Sequence, residues 1–534
     1  MDIIGKLITK EKHKASCYFD LRHTWRDFEN AVGTGKFVLF GVGEGARFYF
    51  YKYRDFSKVE MVVDNNEGIQ NYPLQTFMPD FSSEDELLVK KPSVLENNRN
   101  SEVVVLVTSL KFYDEIAAEL ERYGIKSYFS VLCMEAKERE LNNGKPLIDF
   151  EALWLEEMRN TTIDYKKICI FPSVYGAGHT KEIVRHLLKT RRDLNITWMV
   201  YDLHMKVDDG INVKLVNNEY IYEQEYRTAS IWIGDIGGGF PSVLEKKTSQ
   251  IGIELKHWSS ITLKKFFFDE NIFRNDKQQR ESIKKNIERI DYIFVGSKFD
   301  EQTCRSGLGV TDKKIFVYVG SPRSDLLFKN NRKEPFLCHY PSLAKKKLLL
   351  YAPTFRRTGE DLSGLSNLNN IDFDLVYNAL CKRFPGEWNI LLRLHPLVSK
   401  ESKKITVPDY VIDVTGYSDS EELVAAADAV ITDYSSIMFE PAYIKTPVFL
   451  LATDLDEYTS KERDFYIEYE TLPFPIAKSS EELKNNILAY DENEYRANVE
   501  LFFDKYGVHE DGHASERAAQ FILDLIDRKK QMGS

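Results

Sequence analysis

Short apolar runs alternate with longer amphipathic stretches along almost the whole chain, and this alternation predicts parallel α/β sheets. In the first 150 residues, apolar runs lie within 36–53, 58–64, 102–109 and 126–132. Short, nearly continuous apolar runs between turn residues are typical of strands that are buried on both faces. The helical stretches between them can serve as the crossovers that parallel strands require. We therefore predict a small Rossmann-like domain in residues 1–150.

Two further blocks repeat the pattern. Apolar runs of the second block lie within 167–172, 196–201, 213–216, 230–235, 250–256, 291–297 and 314–320, and those of the third within 348–355, 389–396, 410–414, 429–436 and 447–451. A charged helical stretch at 131–165 precedes the second block, and 333–347 separates it from the third. We predict an α/β protein whose two Rossmann-like, doubly wound domains, 151–332 and 333–534, face a cleft. Ligands of such sheets bind at the carboxyl ends of the strands.

Composition narrows the class of protein. The 534 residues, 43% of them hydrophobic, can fill several cores. A formal net charge of −11 argues against a nucleic-acid partner. The six cysteines form no C-x-x-C pair, which favours reduced cytosolic thiols over disulfides or a zinc site. No apolar run approaches the length of a membrane span, and the start has no signal-peptide pattern, so we expect a cytoplasmic protein.

The N-terminal block carries a glycine pattern after its first strand. Gly41, Gly43 and Ala46 are followed at a distance of about 20 residues by Asp64, as in the dinucleotide-binding fingerprint. In that fingerprint the glycines let a pyrophosphate approach the backbone. The block is short for a complete dinucleotide domain, however. A scaffold or interaction domain that uses the glycines only for a tight turn is the favoured alternative.

Three strand ends of the third block carry side chains suited to a phosphate. In chain order these are Thr354, Arg356, Arg393, His395, Asp433, Ser435 and Ser436. Guanidinium, imidazole and hydroxyl groups bind phosphate oxygens well, and a helix that starts after the serines adds partial positive charge. Each residue alone could be a cap or a turn residue. Together they predict a pyrophosphate pocket.

The second block supplies glycine loops and two histidines. Gly178 and His179 lie between a strand and a helix, Gly238 lies in a run of three glycines, and His257 follows the strand at 250–256. Histidine has an ordinary pKa of about 6.5 and can act as a base near neutral pH. The sequence does not separate His257 from His179 in this role. Walker-type and zinc-binding patterns are absent from the sequence, so we expect no metal and no obligatory cofactor.

Several motifs match a known family in its order. They are DYIFVGS (291–297), GSPRSDLL (320–327, with Arg323), YAPTFR (351–356), RLHP (393–396), TDYSSIMFE (432–440) and DGHASER (511–517). Over roughly residues 165–525 the chain resembles the CDP-glycerol glycerophosphotransferase family of teichoic-acid and capsule polymerases. The first 150 residues lie outside this resemblance.

The resemblance implies a GT-B-like pair of domains and a donor site in the C-terminal one. It implies that a polyol phosphate moves from a CDP-activated donor to an acceptor hydroxyl and that CMP is released. His395, Arg356 and the Ser435–Ser436 pair would hold the donor pyrophosphate, and Glu440 would reach the ribose unless it is a simple capping or surface residue. His257 aligns with the family's acceptor-side base, although the flanking Trp and Gly of the family are missing.

The expected reaction is an in-line displacement at the β-phosphorus of the donor. His257 would take the acceptor proton, while His395, Arg356 and the helix start stabilise the departing CMP. A GT-B glycosyltransferase that uses a nucleotide-sugar is the nearest alternative. A non-catalytic scaffold of a polysaccharide assembly complex is an alternative of another class.

The sequence does not decide whether the protein contacts a membrane, or what its acceptor and oligomeric state are. The stretch 518–530 is amphipathic with a basic end, and 263–273 mixes aromatic residues with lysines. Either could touch the cytoplasmic face of a membrane, or both could pack within the protein. The sequence does not name the polyol, distinguish a polymer from a lipid-linked acceptor, separate polymerase from primase, or give the state of a homo-oligomer.

Overall fold

The described chain forms two compact units. The computed structural model describes residues 23–53, 57–78, 86–97, 103–109, 112–146, 150–171, 178–200, 203–204, 210–215, 219–235, 240, 245–270, 277–310, 314–354, 371–394 and 407–532. The first unit is built from described residues within Met1–Asp164, Thr197–Ala229 and Ser242–Lys247. The second is built from those within Tyr165–Ile196, Ser230–Pro241 and Thr248–Ser534.

Eighteen strands are found in the described chain. They are β1 (Phe37–Phe40), β2 (Val59–Val63), β3 (Val89–Lys90), β4 (Val104–Val107), β5 (Ser127–Ser130), β6 (Asp164–Phe171), β7 (Asn195–Val200), β8 (Ile211–Leu215), β9 (Ala229–Gly234), β10 (Ile251–Glu254), β11 (Tyr292–Val295), β12 (Ile315–Tyr318), β13 (Lys347–Tyr351), β14 (Trp388–Leu392), β15 (Val411–Asp413), β16 (Ala429–Thr432), β17 (Val448–Leu451) and β18 (Ile476–Ala477). All but the two-residue β3 and β18 coincide with predicted apolar runs or lie beside them.

Helices fill the intervals between strands in the described chain. They are α1 (Trp25–Val32), α2 (Glu44–Tyr53), α3 (Tyr113–Arg122), α4 (Val131–Leu141), α5 (Phe150–Asn160), α6 (His179–Thr190), α7 (Glu219–Thr228), α8 (Lys277–Glu288), α9 (Lys298–Gly307), α10 (Glu334–Leu337), α11 (Phe373–Arg383), α12 (Ser420–Ala426), α13 (Phe439–Tyr443), α14 (Leu455–Lys461), α15 (Ser480–Ala489), α16 (Glu492–Tyr506) and α17 (Ala514–Met532). Helices α4 and α5 account for the predicted helical character of 131–165. None of the described helices is long and apolar enough to cross a membrane.

The first unit contains a five-stranded parallel sheet in the order β3-β2-β1-β4-β5. Strands β1 and β4 are buried at every position, which explains their unbroken apolar sequences. Helix α1 starts with a capping box, in which the Thr24 hydroxyl accepts from the Asp27 N–H and the Asp27 carboxylate accepts from the Thr24 N–H. This sheet confirms the predicted Rossmann-like arrangement of the N-terminal block.

The second unit contains two sheets. In the middle sheet of the chain, the strands of this unit are ordered β12-β11-β10-β9-β6. The C-terminal sheet has the order β15-β14-β13-β16-β17-β18, and all of its neighbours are parallel. Its chain order reverses between β13 and β16, so it is doubly wound, as predicted. The reversal creates a topological switch point, where open parallel sheets bind ligands.

Helix α17 returns from the C-terminal sheet and packs on the middle one. It lies against α6, and its Phe521 ring contacts the rings of Tyr292 and Phe294 on β11. Its apolar side chains, such as Ile522 and Ile526, are buried. Asp325 fixes the start of the helix by accepting the N–H groups of Ala514 and Ser515. The amphipathic pattern at 518–530 therefore reflects packing in the described structure. The predicted domain boundaries at 150 and 332 stay predictions.

Candidate functional site

The strand ends at the switch point are tied together by a carboxylate. Asp433 follows β16, and its Oδ1 accepts the backbone N–H of Thr354, which follows β13, at 2.8 Å. The same oxygen accepts the N–H of Tyr434 at 2.6 Å. Asp433 is buried, so these bonds are shielded from water. The described contacts of Asp433 are structural, and its predicted role beside a phosphate stays a prediction.

We call Asp433–Ser436 the serine tip. Ser435 caps a 3₁₀ turn, Ser436–Met438, and its Oγ accepts the N–H of Ile437 at 3.4 Å. The α-helix that follows, α13, has only five residues and includes Pro441. A helix thus follows the serines as predicted, and it is short because Pro441 cannot donate a backbone hydrogen bond. Both serines are half-buried.

Ser436 joins the serine tip to a segment that follows β10. Its Oγ accepts the backbone N–H of Leu263 at 3.2 Å and lies 3.2 Å from the Oγ1 of Thr262. A few residues further, Lys265 pairs with Asp464 through both its backbone N–H and its ammonium group. The described part of 263–273 therefore packs within the second unit. Through these bonds the two sheets of the unit meet at the serine tip.

Other predicted donor-site residues have different surroundings. The Arg393 guanidinium donates to the carbonyls of Val414, Thr415 and Tyr417, so in this structure it organises the loop after β15. Burial lowers the pKa of Arg393. Its predicted contact with phosphate stays a prediction. His395, Arg356 and Gly238 lie outside the described residues.

Glu440 is buried on α13 and binds an arginine. Its carboxylate pairs with the guanidinium of Arg323, which lies in the 3₁₀ helix Pro322–Phe328. Arg323 also lies 3.4 Å from the carboxylate of Glu421. Burial raises the pKa of Glu440, and the charge of Arg323 opposes this. Glu440 is thus neither a surface nor a simple capping residue, whereas its predicted contact with ribose stays a prediction.

The candidate base His257 lies in a loop, Lys256–Ser260, that we call the His257 loop. Asp300 holds this loop from behind, accepting the ammonium of Lys256 at 2.9 Å and the indole N–H of Trp258 at 3.0 Å. Lys256 has φ 58°, a conformation that is costly for a non-glycine residue. The buried ion pair fixes this conformation, since Asp300 and Lys256 are both inaccessible to solvent.

The other side of the His257 loop is held by the C-terminal part of the chain. The Ser259 hydroxyl lies 2.8 Å from the Tyr443 hydroxyl, and the Ser260 hydroxyl binds the carboxylate of Glu510. Burial raises the pKa of Glu510 to about 7. Within the loop His257 is exposed, whereas its four neighbours are buried. The loop thus presents the His257 side chain outward from a rigid support.

His179, the second candidate base, is buried, unlike the exposed His257, and its ring is hydrogen-bonded. It is the first residue of α6, after Gly178 with φ 76°. Its Nε2 lies 2.9 Å from the carbonyl oxygen of Trp258, and its Nδ1 accepts the N–H of Arg323 at 3.4 Å. Burial, with the nearby charge of Arg323, holds the pKa of His179 well below its usual value. Because both ring nitrogens are engaged, the geometry favours His257 over His179 as the base.

A charged cavity lies beside these residues. Lys181 on α6 binds the carboxylates of Asp419 and Glu422, and Glu421 faces the same space. Burial raises the pKa of Glu421 to about 8, although Arg323 opposes the shift. The cavity measures about 30 Å³, enough for water molecules and too small for a nucleotide. Among the described residues, no group of three or more His, Cys, Asp or Glu side chains could hold a metal ion.

Sequence reasoning missed most of the residues that support the site. Asp300, Tyr443, Glu510, Lys181 and Glu421 bind the predicted residues or line the cavity beside them. The motifs DYIFVGS, TDYSSIMFE and DGHASER lie close to Asp300, Tyr443 and Glu510 in sequence, but none of them includes these residues. Their partners are distant in sequence, so no spacing rule marks them.

Comparison with known proteins shows which family the region that contains this site resembles. Residues 159–524 match the profile described as CDP-Glycerol:Poly(glycerophosphate) glycerophosphotransferase. The chain is 30% identical over 378 residues to the teichoic acid poly(glycerol phosphate) polymerase of Staphylococcus epidermidis, covering 68% of this chain and 50% of that protein. It is 26% identical over 373 residues to the polymerase of the same name from Bacillus spizizenii, covering 67% and 92%. The chain thus spans half the length of the first relative.

A solved structure agrees with the fold. The wall teichoic acid polymerase TagF, in a variant soaked with CDPG, superposes with a TM-score of 0.60 and 25% sequence identity. The alignment covers 71% of this chain and 93% of that one. The predicted GT-B-like architecture is confirmed by this similarity.

Proposed function

Because the chain belongs to the CDP-glycerol:poly(glycerophosphate) glycerophosphotransferase family, we propose that it transfers a polyol phosphate from a CDP-activated donor to a hydroxyl of a teichoic-acid-like or capsular acceptor. CMP is the other product. The observation that carries this proposal is the bond between Ser436 and the backbone of Leu263. It brings the serine tip of the C-terminal sheet next to the segment that continues the His257 loop. A phosphate donor and a base can therefore act at one junction.

In the proposed reaction the acceptor oxygen attacks the β-phosphorus of the donor. The acceptor proton passes to His257, the bond from this phosphorus to the CMP oxygen breaks, and CMP leaves with the electron pair. A positioned base of this kind contributes about 10²–10⁴-fold to the rate. The exposed position of His257 on a rigid loop suits this task, because the acceptor can approach it.

The donor side of the mechanism relies on the serine tip. The hydroxyls of Ser435 and Ser436, with the backbone N–H groups of the turn that they start, can bind phosphate oxygens. His395 and Arg356 are proposed to neutralise the charge that develops on CMP. The reaction as proposed uses no metal and no cofactor.

The test is a donor panel. The protein is incubated with an acceptor preparation and, separately, with CDP-glycerol, CDP-ribitol, UDP-sugars and GDP-sugars, and the released nucleotide is identified. We expect CMP from one CDP-polyol and no release from nucleotide-sugars. Release of UDP or GDP would instead support a glycosyltransferase. Absence of any release, together with intact polymer assembly by variants of the serine tip in cells, would support a scaffold.

A further inference from the structure

The His257 loop is fixed by two contacts that neither the ion pair of Asp300 nor the serine tip provides. The carbonyl of His257 accepts the guanidinium of Arg323 at 2.8 Å, and the next carbonyl, that of Trp258, contacts the His179 ring at 2.9 Å. Two successive peptide groups are thus held. The first follows the Cα of His257, and the two together flank the Cα of Trp258, so these contacts fix the backbone from which the His257 side chain leaves the loop.

The contacts of His179 define its protonation. A carbonyl can only accept a hydrogen bond, so the Nε2 that faces Trp258 carries the proton. The backbone N–H of Arg323 can only donate, so Nδ1 carries none. His179 is therefore a neutral imidazole with its one proton already committed. Burial disfavours a second proton on His179, and the positive charges of Arg323 and Lys256 add to this effect.

Arg323 links this arrangement to the donor side. Its backbone binds His179, and its guanidinium binds both the His257 carbonyl and the carboxylate of Glu440. Glu440 lies on α13, which begins directly after the turn of the serine tip. A displacement of His179 would therefore disturb the orientation of His257 relative to the serine tip and not merely the local packing of α6.

We propose that His179 is a positioning residue for the transfer reaction, because its neutral imidazole holds the Trp258 carbonyl and thereby aims His257 at the acceptor hydroxyl. This inference rests on the proposed function, in which His257 takes the acceptor proton. It assigns no proton transfer to His179. Histidine is suited to the position because it supplies one donor and one acceptor at a fixed separation.

The experiment compares His179→Ala with His179→Gln. Glutamine places an amide N–H near the Nε2 position, so it can keep the bond to Trp258, but it cannot act as a base. We expect His179→Ala to lower kcat by about 10²-fold, the loss typical of a misplaced catalytic group. We expect His179→Gln to recover kcat to within about 5-fold of wild type. Donor affinity should change by less than about 2-fold in both variants, since His179 does not contact the serine tip.

His186→Gln is the matched control. His186 lies two turns along the same helix, and the described contact that involves it uses only its backbone carbonyl. The control should retain wild-type kcat. If His179→Ala does not fold, His179→Asn takes its place. Asparagine keeps an acceptor near the Nδ1 position but has no donor that reaches Trp258.

Hydrogen exchange gives a readout that does not depend on turnover. In the full-length protein, His179→Ala should speed the exchange of amides in the peptide 256–263, and His179→Gln should restore their protection.

If wild type releases no nucleotide from any donor, the proposed function fails, while the exchange result still decides whether His179 holds the loop. If wild type is active, the two variants decide the inference. It would be overturned if His179→Gln were as inactive as His179→Ala while its melting temperature was unchanged, because the imidazole itself would then be required. Wild-type kcat or unchanged exchange in His179→Ala would also overturn it.

Discussion

Two strand ends of this molecule use the same device, and their comparison shows what an acid at such a position does. Asp64 follows β2, and its Oδ2 accepts the N–H of Val42, in the loop after the neighbouring β1, at 3.1 Å. Asp433 follows β16 and accepts the N–H of Thr354, in the loop after the neighbouring β13. The sequence favours a scaffold or interaction domain around Asp64 over a bound dinucleotide, whereas it predicts a phosphate beside Asp433. In the structure each carboxylate joins two strand ends.

The two ends differ in what surrounds the acid. At the N-terminal end, Gly41 has φ 103°, and a Cβ at Gly45 would lie 2.0 Å from the carbonyl oxygen of Thr108. These two glycines are therefore explained by a turn and by close packing. Only Gly43, where a Cβ would meet nothing within 4 Å, lacks a steric explanation. At the serine tip, Ser435 caps its own turn, whereas Ser436 bonds to a segment that follows a strand of another sheet.

The largest difference is expected when the two acids are removed. Asp433→Ala removes the acceptor of the buried Tyr434 N–H and of the half-buried Thr354 N–H, at about 1–3 kcal/mol each, so the free energy of unfolding should fall by about 2–6 kcal/mol. Asp64→Ala should cost about half as much, since Asp64 is half-buried and water can replace its carboxylate. Calorimetric melting that resolves both units measures this. Asp433→Asn, which keeps a carbonyl acceptor, is the control, and equal losses for both alanine variants would contradict the comparison.

The next effect depends on pH. Burial raises the pKa of Glu510, which holds the Ser260 hydroxyl, from 4.5 to about 7. The folded protein then keeps a proton that the unfolded chain releases. This stabilisation is complete below about pH 4.5 and is lost as pH rises through 7, by up to about 3 kcal/mol. Glu510→Gln mimics the protonated group, so its melting temperature relative to wild type should be higher at pH 8 than at pH 5.

Asp64 gives the matched case in the first unit. Burial also raises its pKa from the ordinary 3.8, so the stabilisation is again present at low pH and lost as pH rises. Asp64→Asn mimics the protonated group, so the melting temperature of the first unit relative to wild type should be higher at pH 8 than at acidic pH. If Glu510→Gln shows no pH dependence between pH 5 and 8, Glu510 does not titrate in that range.

The third test concerns ligand binding at the two ends. Ser435→Ala with Ser436→Ala removes hydroxyls proposed to bind the donor, and losing such charge-assisted hydrogen bonds should cost about 1.5–3 kcal/mol, or about 10–150-fold in affinity. Isothermal titration with CDP-glycerol measures it. Gly43→Ala, in the other unit, should leave the affinity for CDP-glycerol unchanged. Wild-type affinity in the double variant would remove the serine tip from the donor site.

The smallest expected effect separates two glycines. Gly45→Ala forces its new Cβ against the Thr108 carbonyl and should lower the stability of the first unit by about 1–3 kcal/mol. Gly43→Ala should change it by less than about 0.5 kcal/mol. The melting of the first unit, compared between the two variants, tests this. A destabilising Gly43→Ala would mean that the space beside Gly43 is needed by the fold.

The sequence was sufficient to predict the sheets because parallel strands covered on both faces are read as continuous apolar runs. It missed β3 and β18, since two residues cannot show a pattern. It also placed Thr354 and Asp433 together, because topology brings the carboxyl ends of parallel strands to one edge.

The bonds that shape the site could not be predicted in this way. His179 and Trp258 are 79 residues apart, and Ser260 and Glu510 are 250 apart. Such pairs depend on how complete sheets and helices pack, which local periodicity does not contain. For the same reason the sequence could not separate His257 from His179, whereas the buried and doubly bonded ring of His179 and the exposed position of His257 favour His257 as the base.

The position of α17 has a consequence for how the protein is made. The middle sheet is complete at β12, which ends at Tyr318, but the helix that covers Tyr292 and Phe294 begins only at Ala514. At synthesis rates of about 5–20 residues per second, the ribosome needs about 10–40 s to add the intervening residues. During that interval aromatic surface of a nearly finished sheet is open to other nascent chains. We expect nascent chains halted before residue 514 to be held by chaperones, and chains that include α17 to be released.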